Sequence, residues 1–157
     1  MVDVSKFEAI KKKGEAFYQN IGQVYCPYLK EKVSFNAQGL EHLKFKQRGK
    51  ARNLGDQYMR FKLIAFAPKI LGASGTLQGL LRTNAFERVK IHSRTEMFLR
   101  SVSYFEFIAI VDQFRVKILV KQIEDGEKFF WSIIPFWSTN SSTRERTFHD
   151  KDFLENL

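Results

Sequence analysis

The sequence has a single cysteine, Cys26, and so no means of closing an internal disulfide. A reducing compartment is the expectation. Cys26 lies next to Pro27 without an adjacent base, which suits a small core residue better than a reactive thiol. Apolar runs reach only about five residues, as in 107–111, where a membrane-spanning helix needs roughly 20. The stretch 1–17 lacks the apolar segment of a signal peptide, so a cytoplasmic, membrane-free chain is expected. His42, His92 and His149 are widely separated and have no neighbouring cysteine pair, so no metal site is expected. Gly72, Gly75 and Gly79 precede no Walker-type Gly-Lys-Ser/Thr, and no Gly-x-Ser-x-Gly occurs. Nothing in the chain signals a small-molecule cofactor. Repeats, low-complexity tracts and long linkers are also missing.

What is present is ordinary globular material. The 157 residues are 44% hydrophobic and 27% charged, the size and balance of one domain spanning 1–157. A chain of this length buries roughly 70% of its unfolded surface and needs no staple. The charge is uneven. Residues 1–100 hold 19 Lys/Arg against 8 Asp/Glu, and residues 101–157 hold 7 against 9, for a net charge of +9 overall. A basic half suggests a polyanionic partner, nucleic acid foremost.

The pattern divides the chain into four parts. Residues 4–21 read as an amphipathic helix with Val4, Phe7, Ile10, Phe17 and Ile21 inward, Gly14 as a soft spot and Gly22 as the cap. The part 23–100 is mixed. It looks extended over 23–36 with a turn at 30–32, can be capped by Asn36 into a short turn, and is helical over 53–67 until Pro68. A short helical piece is expected at 74–82 and a strand at 88–91. Residues 101–137 alternate with period two and form three strands, joined at Asp112-Gln113 and at Asp125-Gly126. A polar tail, 138–157, follows. Helices first and a meander after predict an α+β domain, with N-terminal helices packed on one face of an antiparallel β-meander.

Registering the hairpins exposes a candidate site. Val111 opposite Phe114 puts Ala109 on Val116, Phe107 on Ile118 and Phe105 on Val120. Glu124 opposite Glu127 puts Gln122 on Phe129, Val120 on Trp131 and Ile118 on Ile133. One face is then apolar and faces the helices. The other carries Tyr104, Glu106, Arg115, Lys117, Lys121 and Ser132 among Ile108, Leu119, Phe130 and Ile134, with Glu106, Leu119 and Ser132 in one cross-strand row.

Such a face can cleave RNA without a metal. Glu106 takes the proton of the ribose 2′-hydroxyl, Lys117, Lys121 and Arg115 hold the phosphate, and Ser132 donates to a phosphate oxygen. A solvated face of Glu–Lys pairs has the same pattern. A second cluster, HLKFKQRGKAR at 42–52, places Lys44, Lys46, Arg48, Lys50 and Arg52 at alternate positions. An extended segment would project them to one side, with Leu43 and Phe45 opposite, as a phosphate track. A charged solubilising loop would look alike. His42 beside it is a candidate acid–base group. Trp131 and Trp137 offer stacking surfaces for bases, although core filling accounts for most aromatics in a chain like this.

YFEFIAIVDQFRVKILVKQIEDGEKFFWSIIPFW, with HLKFK and QYMRFKLIAFAPKIL upstream, resembles the phage- and mobile-element-borne nucleases of the barnase–EndoU–colicin–RelE (BECR) group over about residues 24–140. The resemblance implies N-terminal helices packed on an antiparallel sheet that carries a catalytic face, and metal-independent cleavage leaving a 2′,3′-cyclic phosphate. It implies a base at Glu106, phosphate-binding cations at Lys117 and Lys121, and a polar site residue at Ser132. It places the histidine late in the chain, so His42 departs from the pattern and His149 competes for the role. It further implies a toxin or effector of a mobile element with a cognate acidic inhibitor. A non-catalytic RNA- or DNA-binding module and a structural or interaction protein of a mobile element are the alternatives.

Overall fold

The computed structural model describes residues 3–47, 49–111 and 114–135. Helix α1 (Val4–Gln19) starts at Asp3, whose carboxylate accepts from Ser5 N at 2.9 Å. Its inward stripe is rotated from the expected one. Phe7, Gly14 and Tyr18 are buried, while Val4 and Phe17 are exposed. Tyr18 causes the rotation: its ring packs against Phe35 and Phe130, and its hydroxyl donates to the Asn36 carbonyl at 2.6 Å. Gly14 is therefore a contact point and not a soft spot. A Cβ there would come within 2.8 Å of Phe61 Cδ1 on helix α3 (Leu54–Leu63).

Strands β1 (Gln23–Cys26) and β2 (Glu31–Ser34) flank a turn over 27–30, earlier than expected, where Lys30 takes φ 55°. Asn36 caps a full helix, α2 (Ala37–Lys44), accepting from Gly39 N at 3.2 Å. Gly39 lies against strand β8 (Lys128–Pro135), and a Cβ there would collide with the Phe130 carbonyl and the Tyr18 hydroxyl. Gly39→Ala is expected to cost stability at or above the roughly 1–3 kcal/mol typical of over-packing. Gly14→Ala should cost less, because its nearest approach, 2.8 Å, is to the Phe61 ring and the Phe61 carbonyl stands off at 3.1 Å, whereas at Gly39 the carbonyl is the nearest atom. Thermal melts of the two variants check this, and an unchanged Gly39→Ala would contradict the crossing.

A small hairpin, β3 (Phe45–Gln47) and β4 (Lys50–Ala51), leads to α3. Asn53 caps α3 by accepting from Asp56 N at 2.8 Å. The helix expected over 53–67 passes through a 3-10 turn at Ile64–Phe66 into α4 (Ala67–Ala73). Pro68 falls in the first turn of α4, where its missing N–H costs nothing. The helical piece expected at 74–82 is wrong: α4 ends at Ala73, and β5 runs Gly79–Ile91, far longer than the strand expected at 88–91. Strands β6 (Arg94–Val111), β7 (Phe114–Ile123) and β8 complete the described chain. Asp112-Gln113, Trp137 and the tail lie outside the described residues.

The fold is α+β. Its sheet has the order β1-β2-β8-β7-β6-β5. It is mixed, since β2 meets β8 in parallel at Ser34 and Phe129, while its other neighbours pair antiparallel. The first hairpin register holds from Val111↔Phe114 through Phe105↔Val120. The second holds at Ile118↔Ile133 and Leu119↔Ser132, then breaks. A bulge at Trp131 puts Val120 on Phe130, Lys121 on Phe129 and Gln122 on Lys128. The turn is longer than the two-residue form, with Glu124 at φ 52° and Gly126 N bonding the Ile123 carbonyl. Phe130 thus enters the core and Trp131 leaves it. That core joins Phe107, Val116, Ile118, Val120, Phe130 and Ile133 of one sheet face to Tyr18, Leu43, Phe61, Ile64 and Leu71 from the helices, with Cys26 fully buried beside them. Among the described residues, no helix is long and apolar enough to cross a membrane.

Candidate active site

The second sheet face carries the row read from the sequence: Glu106 pairs with Leu119, and Leu119 with Ser132. Two strand spacings put the ends of the row roughly 10 Å apart. At one end Glu106 lies 3.7 Å from Lys117 Nζ, both buried. Burial drives the Glu106 carboxyl above its usual 4.5, and Lys117 only partly reverses this. Gly79, its cross-strand partner, lets it lie close: a Cβ there would sit 3.3 Å from Glu106 Cδ and Oε2.

At the other end the outer edge of β8 supplies the geometry. Beyond Phe129 no described strand pairs with that edge, and helices α2 and α3 cover it. Side chains replace the missing ladder. Arg60 of α3 donates from Nη1 to Ser132 Oγ and, at 3.2 Å, to the Ile133 carbonyl. His42 of α2 bonds the Trp131 carbonyl through Nδ1 at 3.0 Å and stacks on the Trp131 ring, with centroids 4.0 Å apart. A carbonyl only accepts, so Nδ1 carries the proton and Nε2 the lone pair. Nε2 lies 3.2 Å from Arg52 Nη2. Arg52 also donates from Nε to the His42 carbonyl at 2.9 Å. Asp56 bridges the two guanidiniums, 3.4 Å from Arg52 Nη1 and 2.6 Å from Arg60 Nε.

Burial and then Arg52 and Arg60 push His42 down to about 2, against the weaker pull of the Trp131 carbonyl. Arg52 is pushed down to about 10, first by burial and then by Arg60, with Asp56 opposing. Arg52 stays cationic at neutral pH while His42 stays neutral. The unfolded chain therefore takes up a proton at His42 below about 6.5 that the folded chain refuses. Stability from this group is full above that pH and is lost as pH falls below it, by about 1.4 kcal/mol per unit. His42→Asn keeps a donor for the Trp131 carbonyl but does not titrate. The stability slope between pH 6.5 and 5 should be shallower in this variant, and equal slopes would contradict the buried neutral ring.

Lys121 is held between both ends of a longer arrangement. Its Nζ lies 4.0 Å from the Trp131 ring centroid and 2.7 Å from Glu87 Oε1. Burial lowers its pKa, and Glu87 opposes this. Lys121 pairs with Tyr104, and Tyr104 with Leu81, six residues before Glu87 on β5. In a flat strand that separation is roughly 20 Å, beyond the joint reach of a Lys and a Glu side chain. The β5–β6 ribbon therefore curls back over this face and delivers Glu87 to Lys121.

The structure thus puts Glu106, Lys117, Lys121 and Ser132 on one face of β6, β7 and β8, with His42 of α2 at the outer edge of β8. It does not keep the phosphate track together. Lys44 is the last residue of α2 and pairs with Glu15 at 3.2 Å. Arg52 turns inward and is buried. Lys46 is half-buried, and Lys50 and Arg115 are exposed. Only short pieces of 42–52 are extended, so the expected one-sided projection fails. Arg48 and His149 lie outside the described residues. Sequence reading missed Asp56, Arg60 and Glu87. Asp56 and Arg60 had a signal, an i,i+4 acid–base pair on the helix face that continues into Leu63. Glu87 had none. Among the described residues, no cluster of three or more His, Cys, Asp or Glu is placed to hold a metal. Protein-family models, curated proteins and solved structures gave no match to this chain.

Proposed function

We propose that the protein is a metal-independent endoribonuclease of BECR type, acting as a toxin or effector of a mobile element. One observation carries the reading: Glu106, with its raised pKa, is paired with Lys117 at the head of a row that ends in the Arg60–Ser132 pair. A buried carboxylate whose pKa is moved toward neutrality is suited to general-base work. In this reaction Glu106 takes the 2′-hydroxyl proton and the 2′-oxygen attacks phosphorus. The 5′-oxygen departs and takes its proton from solvent water, Glu106 returns its own proton to solvent, and a 2′,3′-cyclic phosphate remains. Lys117, Lys121 and Arg60 stabilise the charge that builds on the phosphorane, and Ser132 donates to one of its oxygens. His42 acts as a positioning residue that holds the Trp131 carbonyl. Helices on one face and a carboxylate on an inner strand of the other also support the likeness to BECR nucleases. An acidic inhibitor is the partner this reading implies.

A second reading, a non-catalytic RNA-binding module, is favoured by one feature. Both ring nitrogens of His42 are engaged, so it offers no free acid. Mixed RNA incubated with the protein in EDTA separates the two. Cleavage supports the nuclease, intact but gel-shifted RNA supports the binding module, and intact, unshifted RNA contradicts both.

A further inference from the structure

The β5–β6 ribbon projects from the sheet beyond the Thr83↔Val102 pair, Val102 being the first β6 residue that pairs with β7. Eight further residue pairs, Asn84↔Ser101 to Ile91↔Arg94, form a two-stranded arm of about 26 Å before curvature. Its inner face holds Ala85, Glu87, Val89, Phe98 and Arg100, all half-buried. Exposure alternates along both strands, so the outer face is the solvent side. That face nevertheless carries the large apolar side chains. Phe86 is 67% exposed and pairs directly with Leu99 at 59%, next to Met97 at 56%. Solvent-facing strand positions normally hold polar residues, and a contiguous apolar patch marks an interaction surface.

The charges around the patch have one sign. Arg82, Arg88 and Lys90 share this face, and Glu87 and Glu96 fall on the other. We propose that the outer face of the arm docks an acidic amphipathic polypeptide. Its apolar side chains would cover Phe86, Met97 and Leu99, and its carboxylates would pair with Arg82, Arg88 and Lys90. A second copy of this chain fits poorly, because face-to-face pairing sets three cations against three cations within a chain of net charge +9. Nucleic acid matches the cations but not Leu99 and Met97, which offer no stacking plane. The surface lies on the side of the arm away from Glu87 and Lys121, and the inference does not depend on RNA cleavage.

The test uses the full chain and a soluble labelled peptide with Leu and Phe at alternate positions and Glu between them. Anisotropy is read at physiological salt against wild type, a Phe86→Ser/Leu99→Ser double variant and Arg88→Glu. Both variants alter exposed positions and should melt like wild type. We expect saturable binding to wild type and a loss on the order of tenfold or more in each variant. Polyglutamate should bind more weakly, with no response to Phe86→Ser/Leu99→Ser. Several results would overturn the proposal: no saturable binding, equal binding to all three proteins, displacement of the peptide by duplex RNA with the same variant sensitivity, or sedimentation of a wild-type dimer that Phe86→Ser/Leu99→Ser dissociates.

Discussion

Arg60→Leu should destabilise the protein by about 3–5 kcal/mol, the usual cost of removing one partner from a buried charged network. At this chain length that is a drop of roughly 10 °C in melting temperature. Arg60 is almost fully buried and donates to Asp56 Oδ1, Ser132 Oγ and the Ile133 carbonyl. Leucine fills the space and serves none of them. It also removes one of the two cations that flank Asp56, the other being Arg52. Arg60→Lys keeps the charge but loses the planar fork, and should fall between wild type and Arg60→Leu. Ser132→Ala removes the acceptor of a bond from a charged guanidinium and should cost about 1.5–3 kcal/mol. A melt of Arg60→Leu within a degree or two of wild type would mean that β8 does not rest on α3 through this side chain.

Glu106→Gln is expected to lower RNA cleavage by at least about a hundredfold, within the range general-base catalysis contributes. Stability must be separated from that loss. Gln cannot neutralise Lys117, so the single variant leaves a buried ammonium without its carboxylate and should melt lower. Adding Lys117→Met removes the second charge and should restore much of the melting temperature. It should not restore cleavage, since the proposed base and one of the proposed phosphate-binding cations are then gone. Cleavage that returns with stability would show that Glu106 acts only as half of a structural ion pair.

The central face was legible because the charged residues Glu106, Arg115, Lys117 and Lys121 share one phase of their strands, and the short connection after Val111 sets the register. The row Glu106–Leu119–Ser132 followed directly. The bulge at Trp131 was not legible. In FFWSII, apolar residues occupy both phases of the strand, so an extra residue leaves no mark on the pattern. The long β5 hid for the opposite reason. Much of it lies in the arm, where neither face joins the main core, so core-directed alternation is absent. Arg52 and Arg60 were legible as charges and not as buried groups, because their acceptors, the His42 carbonyl of α2 and the Ser132 hydroxyl and Ile133 carbonyl of β8, come together only in the finished fold. Gly14 looked weak by propensity, yet the close approach to Phe61 makes it the residue that fits.

The central claim is that the sheet face headed by Glu106 cleaves RNA by 2′-hydroxyl attack without a metal. The most direct measurement is end-group analysis of RNA incubated with the protein in EDTA. The account predicts 5′-hydroxyl and 2′,3′-cyclic phosphate ends from wild type, and essentially none from Glu106→Gln. RNA left intact by wild type, 3′-hydroxyl ends, or cyclic ends produced undiminished by Glu106→Gln would contradict it.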